Sequence, residues 1–183
     1  MPEGAQLLCA PRKPEWFEAA AVALPGCARR SRGECGSQTG RFLLDTIGEL
    51  RKAYALATVV VVGRSFGTLH GSDMMEPVAL GKATIIGPRH GDFQDTADKL
   101  VQAGGLRVTS ARELVRDLSA LLNDATARGE MVAAGRAWLN VSRSSNAPCA
   151  CSAPTWLQPT LSPVELRPTR VGKGTAAASS SRS

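Results

Sequence analysis

Residues 63–76 carry the side chains of this sequence that are best suited to binding a charged ligand. The segment contains three glycines and two serines, which are Gly63, Ser65, Gly67, Gly71 and Ser72. Glycines allow backbone N–H groups to approach an anion closely, and a helix that begins just after them would turn its positive end toward the same point. The spacing therefore predicts a phosphate-binding loop.

Two acidic residues, Asp73 and Glu76, follow these glycines at the spacing of a helix capping pair. As a capping group, Glu76 would only satisfy backbone N–H groups of the helix predicted over residues 74–80. As a ligand group, its carboxylate would accept hydrogen bonds from the hydroxyls of a ribose. The spacing alone leaves both interpretations open.

Other loops add candidate groups. Arg12 follows a predicted strand, where it could hold a phosphate with two hydrogen bonds or could simply be a solvated surface residue. Gly48, at a predicted helix start, would let a flat ring approach the backbone, with plain capping as the alternative. His90 and His70 could act as acids or bases near neutral pH, although a lone loop histidine is more often only exposed. The sequence has no Walker loop, and no G-x-G-x-x-G follows its first strand, so a nucleotide would be held by several loops.

The elements that must position these loops alternate along the chain. Short apolar runs predict strands at residues 6–10, 41–44, 58–62, 83–86 and 106–108, with a strand remnant and surface loop within 26–40. Helical patterns fall at residues 14–24, 46–57, 74–80, 93–103, 112–122 and 125–139. The run at 58–62 is apolar without alternation, which is typical of a strand covered on both faces. The pattern predicts an α/β fold with a doubly wound parallel sheet, whose ligands lie beyond the carboxyl ends of the strands.

Composition limits the possible partners. Of the net charge of +6, residues 141–183 contribute +4 and residues 1–140 only +2, so the predicted folded part has no concentrated charge for nucleic acid. Five cysteines without paired spacing indicate reduced thiols in a cytoplasmic protein, with neither a disulfide framework nor a metal site. No apolar run approaches the roughly 20 residues of a membrane span. We expect one domain over residues 1–140 and a disordered, low-complexity tail over 141–183.

Four motifs, in order and at matching spacing, resemble a known family. They are APRKPE at residues 10–15, DTIGEL at 45–50, GRSF with HGSDMMEP at 63–77, and ALGKA with GPRHGDF at 79–93. This set is similar to the C-terminal half of the 3-deoxy-D-manno-octulosonic acid (Kdo) transferases, bacterial glycosyltransferases of the GT-B fold. The resemblance covers about residues 5–139 and implies a Rossmann-like half of that fold, incomplete at its N-terminus.

The resemblance implies a donor site of eight residues, which are Arg12, Ile47, Gly48, Ser65, Gly71, Ser72, Asp73 and Glu76. Arg12 would contact the phosphate of CMP. The backbone of Ile47 and Gly48 would border the cytosine, and Ser65 with the 71–73 turn would line the phosphate pocket. Glu76 would hold the ribose, which favours its interpretation as a ligand group.

The implied reaction moves Kdo from CMP-Kdo to a lipid A precursor at the cytoplasmic face of the inner membrane. In the family, the catalytic carboxylate, the acceptor groove and the membrane anchor belong to the N-terminal half. We therefore expect a fragment that holds only the donor site, with no catalytic residue, cofactor or metal of its own. The rival hypotheses are a stand-alone nucleotide-binding module that acts with a partner chain, and a GT-B protein that uses a UDP-sugar.

Three residues depart from the family pattern. Asp73 and Asp92 stand where the family has asparagine, and Arg64 stands where it has glycine. Asp73 would bring a negative charge to the phosphate pocket, and Arg64 could offset it. These departures could retune the donor site or weaken it.

Overall fold

The structure is a computed structural model that describes residues 4–34, 39–68 and 71–144. Its six strands are β1 (Leu7–Cys9), β2 (Ala28–Arg29), β3 (Arg41–Leu43), β4 (Val59–Val62), β5 (Ala83–Ile86) and β6 (Arg107–Val108). Its six α-helices are α1 (Phe17–Ala23), α2 (Leu50–Leu56), α3 (Met75–Ala79), α4 (Gln94–Gln102), α5 (Leu114–Asn123) and α6 (Ala125–Ser144). Every strand pair is parallel, which confirms the predicted α/β class.

The described strands form two three-stranded sheets rather than one continuous sheet. In the first, β3 lies between β1 and β2, and in the second, β5 lies between β4 and β6. The outer edges of β1 and β4 pair with no other strand in the described part of the chain. On β1, the apolar side chains of Leu7 and Leu8 are 39% and 37% exposed, although they point to opposite faces.

The second sheet is covered on both faces, as the unbroken apolar run of β4 predicts. Neighbouring residues of β5 enter different hydrophobic clusters because successive side chains point to opposite faces. Ile86 packs in a cluster with Leu100 of α4, and Ile85 packs in a cluster with Leu121 of α5 and Met131 of α6. This sheet therefore provides the rigid base for the loops that follow β4 and β5.

Two glycines bring α6 close to the rest of the second sheet. A Cβ placed on Gly105 would lie 2.5 Å from the Cα of Gly135, and a Cβ placed on Gly135 would lie 2.8 Å from Cγ1 of Val78. Only hydrogen fits at these positions, so α6 packs against both the turn before β6 and the short helix α3. This contact fixes α3, which carries Glu76.

The helix boundaries differ from the sequence expectation in two places. Helix α2 begins at Leu50 rather than at residue 46, so residues 45–49 form an irregular loop. Helix α6 continues to Ser144, which places residues 141–144 in a helix instead of the predicted disordered tail. Residues 145–183 lie outside the described residues. Among the residues that are described, no helix has both the length and the apolar composition needed to span a bilayer.

Candidate functional site

Two loops at the carboxyl ends of β1 and β4 meet through a side-chain contact. Nη1 of Arg12 donates a hydrogen bond to the Ser72 hydroxyl over 3.2 Å. Arg12 is exposed and Ser72 is half-buried, so the guanidinium keeps further donors for a ligand. The structure thus brings the predicted phosphate-binding arginine to the predicted glycine-bearing turn.

The turn that carries Ser72 packs on the loop after β5. Gly71 has a φ of +91°, a conformation that side chains rarely adopt, and a Cβ there would lie 3.0 Å from the Cα of His90. Glycine therefore satisfies both the backbone angle and the close approach of the two loops. The 71–73 turn is held between Arg12 on one side and His90 on the other.

Ser65 is buried, and its place in the lining of the phosphate pocket stays a prediction. Its side chain is buried, its hydroxyl donates to the Val62 carbonyl, and its oxygen accepts a hydrogen bond from the Gly87 N–H over 2.6 Å. The Ser65 carbonyl also accepts from the Arg89 N–H over 2.9 Å. A Cβ on Gly87 would lie 2.4 Å from that carbonyl oxygen, so the loops are in backbone contact. Ser65 therefore joins the loop after β4 to the loop after β5.

The arrangement around Glu76 separates the two interpretations left open by its spacing. Oδ1 of Asp73 accepts a hydrogen bond from the Met75 N–H over 2.7 Å. The side chain of Met74, the N-cap residue of α3, makes no capping hydrogen bond. The reciprocal contact of a capping box, from Glu76 back to the backbone, is not formed. Within the described part of the chain, the half-buried Glu76 carboxylate has no hydrogen bond or ion pair. It is therefore available to a ligand.

The helix dipole contributes less than the sequence suggests. Helix α3 has only five residues, and the macrodipole needs a longer run of aligned peptide units. The Asp73 carboxylate also occupies one of the N–H groups that would face an anion. Arg12 is therefore the main positive group of the site.

A polar network that the sequence analysis missed holds the loop after β3. The buried Asp45 carboxylate accepts hydrogen bonds from the Ser31 N–H over 2.7 Å, from the Ser31 hydroxyl over 2.6 Å and from Nε of Arg29 over 2.7 Å. Burial alone would raise the pKa of Asp45, but these hydrogen bonds lower it to about 2. Arg29 in turn pairs with Glu18 of α1. The aspartate thus ties β2, β3 and α1 together below the 45–49 loop.

Ile47 and Gly48 lie on this anchored loop. Ile47 is 64% exposed, and Gly48 has a φ of +90° with open space where a Cβ would be. The glycine is required by the backbone angle, and the exposed isoleucine offers an apolar surface to a flat ring. Their contact with a base stays a prediction.

His90 is more buried than a general acid or base that exchanges protons with a ligand requires. His90 is 5% exposed, and its Nδ1 donates to the Gly87 carbonyl over 2.8 Å, whereas its buried Nε2 has no partner in the described residues. His70 lies outside the described residues. Across residues 4–34, 39–68 and 71–144, no group of three His, Cys, Asp or Glu side chains has the arrangement of a metal site.

Taken together, one rim of the molecule offers complementary groups from several loops. An arginine with free donors lies beside a glycine turn, and an unpaired carboxylate follows within one turn of α3. Such a combination can bind an anionic group and, next to it, a group with hydroxyls.

Comparison with known proteins gives a consistent set of relatives. No family model matches the chain. The 3-deoxy-D-manno-octulosonic acid transferase of Bordetella pertussis is 38% identical over 139 residues, which make up 72% of this chain and 32% of that protein. The enzyme of the same name from Aquifex aeolicus is 32% identical over 82 residues, or 44% of this chain and 23% of that protein. The chain therefore spans about a third of the length of the Bordetella relative and about a quarter of the length of the Aquifex relative.

A solved structure matches this chain over about three quarters of the length of each protein. The crystal structure of the C-terminal CMP-Kdo binding domain of WaaA from Acinetobacter baumannii superimposes with a TM-score of 0.67 at 31% sequence identity. The match covers 73% of this chain and 74% of that domain.

Proposed function

The chain belongs to the 3-deoxy-D-manno-octulosonic acid transferase family, and we propose that it forms the site for a nucleotide-sugar donor, CMP-Kdo, in a glycosyltransferase. The similar domain from Acinetobacter is described as a CMP-Kdo binding domain, which supports this choice of donor. The two chains share the fold over about three quarters of their lengths.

The observation that carries the proposal is the contact of Arg12 with Ser72, on the turn that leads into α3 and its Glu76. In the proposed complex, Arg12 and the 71–73 turn hold the phosphate of CMP, because a guanidinium with free N–H groups matches phosphate oxygens. The unpaired carboxylate of Glu76 accepts hydrogen bonds from the ribose hydroxyls. Each such bond to a charged group contributes roughly 1.5–3 kcal/mol.

The base and the scaffold complete the proposed site. Cytosine packs against the exposed surface of Ile47 and the backbone of Gly48, on the loop that Asp45 anchors. Ser65 acts indirectly, since its hydroxyl joins the loops after β4 and β5.

The whole reaction requires more than a donor site. We assign the lipid A precursor, the catalytic base and the contact with the cytoplasmic face of the inner membrane to a part of the enzyme beyond the described residues. Catalysis needs donor and acceptor to be held together, so we expect this chain alone to bind the donor without transferring Kdo.

Titration calorimetry on the 183-residue chain tests the proposal with CMP, UDP and CMP-Kdo as ligands. We expect CMP and CMP-Kdo to bind and UDP to bind more weakly. A preference for UDP would identify a different nucleotide-sugar, and the absence of binding by all three would overturn the proposed site.

A pair of matched variants locates the binding site. Glu76→Gln removes the unpaired carboxylate charge, and we expect it to weaken CMP binding roughly 10-fold or more. Glu130→Gln removes an exposed carboxylate from α6 and should leave CMP binding unchanged. Equal affinity of the two variants would place the ribose elsewhere.

A further inference from the structure

His90 is a buried histidine that none of the proposed ligand contacts uses. It lies in the loop after β5, where its Nδ1 forms a hydrogen bond with the Gly87 carbonyl over 2.8 Å. A carbonyl oxygen can only accept, so the hydrogen of this bond lies on Nδ1. The side chain therefore ties the two ends of the segment 87–90 together.

The loop around His90 is fixed to the second sheet at two more points. The Gly87 N–H donates to the Ser65 hydroxyl oxygen over 2.6 Å. The Phe93 N–H donates to the His90 carbonyl over 2.8 Å, and the Phe93 side chain packs against the cluster that contains Leu100 of α4. Because its ring and its carbonyl are both hydrogen-bonded, the backbone of His90 has a defined position relative to β5 and α4.

The glycine turn of the proposed phosphate site rests on this backbone. A Cβ placed on Gly71 would lie 3.0 Å from the Cα of His90, 3.5 Å from its Cβ and 3.3 Å from the Arg89 carbonyl oxygen. Such distances leave no free space between the two segments, so a shift of His90 displaces Gly71. Ser72 follows directly, and its hydroxyl accepts the hydrogen bond of Arg12 over 3.2 Å. An unbroken series of contacts thus connects the His90 ring with the arginine of the proposed site.

The two nitrogens of the His90 ring differ in their contacts. Nε2 is buried and has no hydrogen-bond partner among the residues that the structure describes, so Nδ1 makes the polar contact of the ring. The amide nitrogen of an asparagine is separated from Cβ by as many bonds as Nδ1, whereas the amide nitrogen of a glutamine corresponds to Nε2. Asparagine at this position can therefore replace the donor, and glutamine cannot.

We propose that His90 is a positioning residue of the donor site. Its hydrogen bond to the Gly87 carbonyl holds the backbone on which Gly71 rests, and so keeps Ser72 where Arg12 and the phosphate of the nucleotide meet. This inference rests on the proposed function and adds to it a buried residue that supports the phosphate contact without touching the ligand.

Two variants at this position test the role of Nδ1. With titration calorimetry on the full chain, we expect His90→Gln to bind CMP roughly 3- to 10-fold more weakly, and His90→Asn to bind it within about 2-fold of the unmutated chain. Cytidine, which has no phosphate, should bind all three proteins equally, because the displaced turn serves the phosphate. A role in stability alone would leave the ratio of CMP affinity to cytidine affinity unchanged.

Thr84→Val is the matched control. The hydroxyl of the buried Thr84 donates to the Lys82 carbonyl over 2.9 Å, near the amino end of β5, whereas His90 follows the carboxyl end of the same strand. The variant removes one hydrogen bond from β5 but leaves the loop after it intact, so CMP binding should not change. Urea unfolding measures how far each variant lowers the free energy of unfolding.

Several results would overturn the inference: unchanged CMP affinity in His90→Gln, an equal loss of CMP affinity in His90→Asn or in Thr84→Val, or an equal loss for CMP and cytidine. If His90→Gln does not fold, the CMP affinity of His90→Asn decides, since retention supports the role of Nδ1 and loss contradicts it. Absence of CMP binding by the unmutated chain would instead overturn the proposed function, and the inference with it.

Discussion

The guanidinium of Arg12 donates a hydrogen bond to the hydroxyl of Ser72 over 3.2 Å, although the two residues are 60 positions apart in the sequence. The contact joins the loop after β1 to the loop after β4. It places the main positive group of the site beside the glycine turn, whose Ser72 precedes Glu76 by four residues in the sequence.

The first prediction concerns the arginine itself. Arg12→Met removes the proposed phosphate ligand, and we expect CMP to bind roughly 10- to 100-fold more weakly, since hydrogen bonds to charged groups contribute about 1.5–3 kcal/mol. Cytidine, which has no phosphate, should bind both proteins equally. Titration calorimetry with both ligands measures the difference.

Arg116 provides the control for that experiment. It is an exposed arginine of α5 that pairs with Glu113 and Asp117. Arg116→Met changes the net charge by the same amount and should leave CMP binding intact. An equal loss in both variants would indicate a nonspecific charge effect and would contradict the assignment of Arg12.

The second prediction concerns the negative charge next to the phosphate. Asp73→Asn removes the charge but keeps the Oδ1 acceptor for the Met75 N–H, so the turn should persist. We expect CMP to bind roughly 2- to 5-fold more tightly at low salt, with a smaller gain at high salt. Asp95→Asn, at an exposed position of α4, should show no gain. Weaker binding by Asp73→Asn would mean that the carboxylate itself contacts the ligand.

The third prediction tests whether the Ser65 hydroxyl stabilises the fold or contacts the ligand. Ser65→Ala leaves the buried Gly87 N–H without its acceptor, and we expect a loss of roughly 1–3 kcal/mol in the free energy of unfolding. Urea unfolding measures this loss, and Ser110→Ala, at an exposed hydrogen bond, should change little. If Ser65→Ala instead kept its stability and lost CMP affinity, the hydroxyl would be a direct ligand contact.

The fourth prediction concerns the Asp45 network. The folded-state pKa of Asp45 is lowered to about 2 from an ordinary value of 3.8, so its contribution to stability is complete above about pH 4 and is lost as the pH falls toward 2. We expect Asp45→Asn to be less stable than the unmutated chain by roughly 1–3 kcal/mol at pH 7. The difference between the two should shrink between pH 4 and pH 2.

Urea unfolding at a series of pH values checks this dependence. Asp95→Asn serves as the control because Asp95 is exposed. A stability difference for Asp45→Asn that stays constant from pH 7 to pH 2 would show that the ionised carboxylate is not the stabilising form.

Local sequence patterns were enough to predict the fold class and the positions of the loops. The apolar run of β4 and the capping residues of the helices are local features, and local steric and hydrogen-bonding preferences determine them. The same patterns misplaced the start of α2, because residues 45–49 are held outside the helix by contacts of Asp45 with Ser31 and of Glu49 with Arg30. Such contacts between distant segments produce no periodic pattern in the local sequence, so the sequence could not reveal them.

The sequence alone determined the alternation of parallel strands and helices, the glycine turn, and the resemblance that singled out Arg12 and Glu76. Only the tertiary structure decided that Ser65 is buried and that the Glu76 carboxylate has no partner among the residues that the structure describes. Residue type and spacing define what a side chain is able to do. Whether its polar atoms are already satisfied depends on which distant groups the folded backbone brings within about 3 Å.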